Sequence, residues 1–138
     1  NVKAPFFLTA AVIPGMLEAG GGVIINLGSW IARLGIPAGA VYGATKGALE
    51  TLTRTWAAEF GAQGIRVNAL SPGVVFDDPS EVPAEAGPAM ATTPAGKPGA
   101  PADIAAAAVY LASDEAAFAH GAVFDIDGGR SNVFMAAR

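Results

Sequence analysis

The stretch Ser29-Trp-Ile-Ala-Arg-Leu-Gly-Ile-Pro-Ala-Gly-Ala-Val-Tyr-Gly-Ala-Thr-Lys46 joins the end of an apolar run to the start of a helical pattern, and it carries a hydroxyl, a phenol and an ammonium. Tyr42 and Lys46 are four apart, so on a helix both side chains fall on one face, one turn from each other. A free phenol, with a pKa of about 10, is a poor proton carrier at neutral pH. A neighbouring ammonium favours the phenolate and lowers that value, which would suit Tyr42 to general acid/base work. Ser29 stands where the apolar run ends, so its hydroxyl can address the same reacting oxygen. The same Tyr and Lys spacing also describes an ordinary solvated helix face.

Upstream of Ser29, Gly22 to Leu27 is apolar and β-branched, and it reads as a short strand of the kind buried on both faces of a parallel sheet. Open α/β sheets bind ligands at the carboxyl ends of their strands, which is where Ser29 falls. Further upstream, Val2, Phe6, Phe7, Ala10, Ile13 and Leu17 recur at helical spacing as far as about Ala19. Pro14 is expected to cost this helix a hydrogen bond and to kink it. Gly20-Gly21-Gly22 precedes a strand and reads as the turn out of that helix.

Downstream, Val41, Ala44, Ala48, Leu52, Trp56 and Phe60 recur at nearly i+4 and predict a helix over 41–60, stopped by Gly61. Trp56 and Phe60 read as core or subunit contacts, and the small Gly43 and Gly47 as places of close packing. Ile65 to Leu70 predicts a second strand, ending at Ser71-Pro72-Gly73. Residues 76–98 hold prolines at 79, 83, 88, 94 and 98 and show no period, which predicts a long loop. Pro101 to Ser113 predicts a helix with Pro101 in its first turn, Asp103 near its positive end, and Ile104, Ala108 and Leu111 facing inward. Gly121 introduces a third strand, Ala122 to Ile126, closed by Asp127-Gly128-Gly129. Helix and strand alternate throughout, which predicts a three-layer α/β fold around a three-stranded parallel sheet with right-handed crossovers.

These motifs, in this order, resemble the short-chain dehydrogenase/reductase family: a Ser at a strand end, a Tyr about thirteen residues on and a Lys four beyond it, here Ser29, Tyr42 and Lys46. Asn1-Val-Lys-Ala-Pro-Phe6 is similar to the helix that bears the family's active-site Asn. Arg66-Val-Asn-Ala-Leu-Ser-Pro-Gly73 is similar to the strand and Pro-Gly turn that follow, and Tyr110-Leu-Ala-Ser-Asp114 and Asp125-Ile-Asp-Gly-Gly129 to the closing elements. The resemblance covers essentially the whole chain. It implies the last three strands of a Rossmann-like fold, reversible hydride transfer between NAD or NADP and a ketone or secondary alcohol, and catalytic roles for Asn1, Ser29, Tyr42 and Lys46. Tyr42 would protonate the carbonyl oxygen and, with Lys46, contact the cofactor, Ser29 would hydrogen-bond that oxygen, and Lys46 would hold the nicotinamide ribose. Asn1 would anchor a water linking Lys46 to solvent, and Pro72, Gly73 and the backbone of Val75 would meet the nicotinamide. Residues 1–138 then form one partial Rossmann-like domain in which 76–100 is a mobile, lid-like loop over the substrate.

Two departures stand out. The family's glycine-rich turn between a strand and a helix, which meets the pyrophosphate, has no counterpart in the sequence, so the chain reads as the C-terminal part of a longer protein and is expected to be inactive alone. Where the family commonly has a Thr five residues after the Pro, the chain has Asp77, followed by Asp78, and carboxylates there would repel a pyrophosphate.

Composition bounds the rest. With 138 residues, one core is feasible, and 52% apolar against 14% charged residues points to surface covered by partners. A homo-oligomer through helix 41–60 is the expectation, and a non-enzymatic oligomerisation module of the same fold is the alternative. A net charge of −4 without a basic cluster argues against nucleic acid. The absence of Cys removes disulfides and thiolate chemistry and fits a reducing compartment, the cytoplasm by default. Pro5 and Pro14 interrupt the N-terminal apolar run, so neither signal peptide nor membrane span is expected. His120 is the only His, and no Gly-x-Ser-x-Gly elbow occurs, which leaves a serine hydrolase or a His-based metal site without support.

Overall fold

A computed structural model describes residues 1–37, 39–78, 82–83 and 90–134. Among these, three parallel strands lie in the order β1 (Gly22–Leu27), β2 (Ile65–Pro72), β3 (Val123–Ile126). Gly22 pairs with Ile65 and Leu27 with Leu70, while Ala69 pairs with Val123 and Pro72 with Ile126. Helix α1 (Lys3–Glu18) precedes β1, α2 (Ala40–Phe60) links β1 to β2, and α3 (Pro101–Ala112) precedes β3. The three-layer parallel α/β fold expected from the sequence is the one observed.

Alternation along each strand sends successive side chains to opposite faces, and each face is covered differently. Ile24, Ile65 and Val67 pack with Ile13 of α1 and with Trp56 and Ala57 of α2. Ile25, Leu70, Phe124 and Ile126 pack with Ile104, Ala108 and Leu111 of α3. From β1 to β2 and from β2 to β3 the chain steps in one direction across the sheet, yet the two linking helices lie on opposite faces. The two crossovers therefore have opposite hand, which corrects the expectation that both are right-handed. The rule holds where a helix packs straight back onto the strand it left. Here the connection over residues 73–100 is long enough to carry α3 to the face that α1 and α2 leave open.

Helix α1 runs without a break through Pro14. Its buried side is Thr9 and Ile13, with Met16 half-buried, whereas Phe6 and Phe7 of the expected inward stripe are exposed, Phe7 at 61%. A helix apolar on nearly every side has no period that selects a face, and the position of β1 and α2 decides it. In α2 the expected stripe also turns out to be oblique. Each i+4 step advances about 40° beyond a full turn, so Ala44 begins in solvent and Trp56, at 5% exposure, ends in the core. Trp56 is thus an internal contact and offers no surface to a second subunit.

Glycines make the α1 to β1 turn as expected. Gly20 has φ +82°, the Gly21 N–H bonds to Met16 O at 2.9 Å, and a Cβ on Gly21 would lie 2.9 Å from Gly64 O. On the α3 side, Arg66 binds the end of that helix and the turn beyond it. Its Nη1 donates to Leu111 O (2.8 Å) and Ala116 O (3.1 Å), and its Nη2 to Ser113 O (2.9 Å). Asn68 does the same from two residues on, with Nδ2 donating to Ala119 O and Oδ1 accepting from Ala122 N–H. Arg66→Met is expected to cost about 1.5–3 kcal/mol, the scale of hydrogen bonds to a charged group. Lys should recover only part of this, because an ammonium is a point charge without the planar fork. Urea unfolding of wild type and the two variants measures it.

The lid-like segment falls partly outside the described residues, at 79–81 and 84–89. Its two ends are built into the fold. Val75 forms a parallel bridge with Gly99, through Phe76 N–H to Gly99 O and Gly99 N–H to Val74 O. Ala95 N–H bonds Gly128 O at 3.1 Å, and Met90 and Thr93 are buried. Gly128 and Gly129 have positive φ, and a Cβ on either would meet Ala95 or Pro94 at under 3.0 Å.

Candidate active site

Ser29, Tyr42 and Lys46 gather at the carboxyl end of β1. Ser29 follows β1 in extended conformation (φ −170°, ψ 148°), is buried, and caps a 3-10 turn over Trp30–Ala32 by accepting from Ile31 N–H at 3.4 Å. A hydroxyl that accepts one bond keeps its own proton to donate. Helix α2 begins at Ala40, so Tyr42 lies in its first turn, 44% exposed, and Lys46 one turn on. Lys46 Nζ donates to Leu27 O at 2.7 Å and lies 5.6 Å from the centre of the Tyr42 ring. Gly43 is what lets α2 come this close to the Ser29 turn, since a Cβ there would sit 3.2 Å from Ile31 Cγ2 and O. Gly47 faces open space.

Asn1 is brought to the same corner. Its Nδ2 donates to Thr45 Oγ1 at 3.3 Å, and Thr45 Oγ1 donates to Tyr42 O at 2.7 Å. Asn1, Leu27 and Lys46 border one groove between α1 and β1. Pro72, Gly73 and Val75 lie at the carboxyl end of β2, one strand over. Gly73 has a structural reason of its own: its N–H bonds Ile126 O at 3.0 Å, and a Cβ would lie 2.7 Å from Asp127 Cα. The Val75 bridge uses the backbone of Val74 and Phe76, which turns the N–H and C=O of Val75 itself to the other side. Asp77 is exposed. His120 is also exposed and stands beside Gly61, near the start of β2 and away from this end of the sheet.

Below the Ser29 turn lies a charged cluster to which sequence reading assigned no role. Arg33 Nη1 hydrogen-bonds Asp125 Oδ2 of β3, and Arg33 Nε lies 3.8 Å from Glu50 Oε2 of α2. Asn132 Nδ2 donates to Asp125 Oδ2 at 2.7 Å, and the Arg130 guanidinium stacks 4.7 Å from the centre of the Trp30 ring. Burial pushes the Glu50 carboxyl above its usual range; Arg33 and Arg54 oppose this and Asp125 adds to it. A Glu on the inward side of α2 and an Asp inside β3 were the available signals.

Asp127 closes this end of β3. Burial works against its ionisation, but hydrogen bonds from residues 129, 130 and 131 outweigh it and hold its carboxyl below the usual range. A folded-state pKa below the unfolded one contributes stability that is present above the unfolded value and lost as pH falls through the folded one. The stability of wild type over Asp127→Asn should therefore be constant at neutral pH and shrink as pH drops below about 4. Denaturant unfolding of both proteins across that range is the check, and a pH-independent difference contradicts it.

No helix among the described residues is long and apolar enough to cross a membrane. Comparison with known proteins places the chain in a single group. The family model described as enoyl-(acyl carrier protein) reductase matches residues 1–131. The chain is 42% identical over 144 residues to 2-(S)-hydroxypropyl-CoM dehydrogenase 3 of Xanthobacter autotrophicus, covering 96% of this chain and 55% of that one. A solved structure named as a short chain dehydrogenase/reductase family protein is 45% identical with a TM-score of 0.84, over 96% of this chain and 55% of that one. A 3-oxoacyl-[acyl-carrier protein] reductase with bound NAD from Brucella melitensis is 35% identical with a TM-score of 0.86, over 96% of this chain and 50% of that one. The chain spans about half the length of the curated relatives it matches. With the Ser29, Tyr42 and Lys46 arrangement on the strand and helix described above, this chain belongs to the short-chain dehydrogenase/reductase family.

Proposed function

We propose that the chain carries the substrate-side part of an oxidoreductase that moves hydride reversibly between NAD or NADP and a ketone or secondary alcohol. What supports this reading is that Ser29 follows β1 directly and that Lys46, beside the Tyr42 ring, is tied to Leu27 O at the carboxyl end of that strand. When bound, the nicotinamide supplies or accepts the hydride. In reduction, the Tyr42 hydroxyl gives its proton to the substrate oxygen, and in oxidation it takes one back. Ser29 donates its hydroxyl proton to that same oxygen and steadies the charge that develops there. Lys46 sets a positive charge near the phenol, and because the bond to Leu27 uses one of its three donors, the others suit the vicinal hydroxyls of a ribose.

Pro72, Gly73 and the outward-turned backbone of Val75 border the nicotinamide, and Asn1 holds the water that connects Lys46 to solvent. The described parts of the lid-like segment, residues 76–78, 82–83 and 90–100, would lie on the side of a small carbonyl or alcohol substrate. The fit supports the nicotinamide and ribose end of the cofactor only, since among the described residues no glycine-rich turn leads from a strand into a helix to meet the pyrophosphate. Residues 1–138 alone are therefore inactive. The protein works in the cytoplasm as a homo-oligomer whose contact includes the outer side of α2, where Val41, Ala44 and Ala58 are exposed. The test is NADH and NADPH oxidation on a panel of ketones by this chain completed with a dinucleotide-binding half. Absence of turnover with every ketone and both cofactors rejects the reading.

A further inference from the structure

The Arg33, Glu50 and Asp125 cluster is used by none of the roles above, yet it lies directly beneath the turn that carries Ser29. Ser71 and Asp125 are register partners on β2 and β3, so their side chains share one face of the sheet, the face covered by α2. Glu50 reaches the same place from α2. It is 6% exposed, and its Oε1 would lie 3.1 Å from a Cβ on Gly28, the residue before Ser29. Glu50 Oε1, Ser71 Oγ and Asp125 Oδ1 are all buried without a hydrogen-bond partner. Two carboxylates that share one guanidinium and lie largely out of water repel and are costly to bury, and Arg33, with one nitrogen toward each, is the compensating charge.

Arg33 is connected to Ser29 by a stiff link. Ala32 N–H bonds Ser29 O at 2.9 Å, Arg33 N–H bonds Trp30 O at 3.1 Å, and Ile31 N–H bonds Ser29 Oγ at 3.4 Å. The Trp30 ring is held separately by the Arg130 guanidinium. Fixing Arg33 therefore fixes the whole turn, including the backbone from which the Ser29 hydroxyl projects.

We propose that Arg33 is a positioning residue: gripped by Asp125 and Glu50, it fastens the Ser29 turn to α2 and to the carboxyl end of β3 and so sets where the Ser29 hydroxyl stands. The proposal rests on the dehydrogenase reading only for the use made of that hydroxyl. Amide exchange in the 138-residue chain tests it for wild type, Arg33→Met, Arg33→Lys, Asp125→Asn and the double variant Arg33→Met/Glu50→Gln. Arg33→Met should speed exchange at Ala32 and Arg33 positions by about tenfold or more, as expected for local opening. Protection in β2 should stay as in wild type, and the Trp30 indole N–H resonance should shift. Arg33→Lys should fall between the two, and Asp125→Asn should loosen the same amides even if Arg33→Met does not fold. The double variant should regain part of the global stability, because the more deeply buried Glu50 charge is gone while Asp125 keeps the Asn132 amide, without regaining protection of the turn. Unchanged exchange in the turn, or a loss spread equally over β2, overturns the proposal. In the completed enzyme, Arg33→Met should lower kcat with cofactor binding unchanged. A wild type without turnover speaks against the dehydrogenase reading and leaves the exchange result to decide the clamp.

Discussion

Tyr42→Phe, in a chain completed by a dinucleotide-binding half, is expected to lower kcat by about 10²–10⁴-fold, the contribution of a positioned general acid or base. Only one oxygen is removed. The ring stays in the first turn of α2 and keeps its place beside the Lys46 ammonium, whose bond to Leu27 O is independent of the phenol. Tyr42 is 44% exposed, so losing the hydroxyl leaves no buried cavity or unpaired group. Cofactor affinity, read by the fluorescence of the reduced dinucleotide, should therefore change little while turnover collapses. Loss of affinity in step with kcat would assign Tyr42 to binding, and near-normal turnover would remove it from the chemistry.

Residues 1–138 by themselves are expected to show no saturable binding of NADH or NADPH up to about 1 mM, where binding free energy is only about −4 kcal/mol. Most of the polar recognition of a dinucleotide goes to its pyrophosphate, which needs converging backbone N–H groups at a helix start, and its adenine needs an enclosed apolar slot. The carboxyl ends of β1 and β2 lead instead into the Ser29 turn and the Pro72-Gly73 turn. Strand β1 is also an edge of the described sheet, and an open groove of about 480 Å³ runs along it beneath α1, lined by Leu8, Val12, Ile24 and Leu27. An unpaired edge under an apolar wall invites strand pairing between chains. Light scattering at micromolar concentration should accordingly report association, and Leu8→Lys should reduce it. Tight, saturable binding with turnover would mean that the three strands suffice.

Features carried by neighbouring residues could be read from the sequence. The strands read over 22–27 and 65–70 and the helix read over 41–60 follow from local composition and period and match the observed elements to within two residues, and the placing of Tyr42 and Lys46 on one helix face follows from helical spacing alone. The spaced motifs then pointed to the family, because several of them occur in one order along the chain. Features that depend on which element lies beside which could not be read in this way. The i+4 series in α2 marks a helix, but only packing against α1 and β2 determines that Trp56 is inside and Ala44 outside. A parallel strand order permits a helix on either face, and the apolar face left open by α1 and α2 draws α3 to it, which makes the two crossovers opposite in hand.

The sequence by itself determined the element types and the parallel α/β class, since each rests on spacing within a turn of helix or a run of strand, and the order of its motifs along the chain proposed Ser29, Tyr42 and Lys46 as the site. The tertiary structure alone decided the rest: the buried faces, the anchoring of 90–99 on Gly128 and Gly129, and the meeting of Arg33 with Asp125 across ninety-two positions. Such contacts arise because burying two carboxylates demands a compensating charge wherever the fold happens to bring one, and no local pattern records how distant residues are brought together.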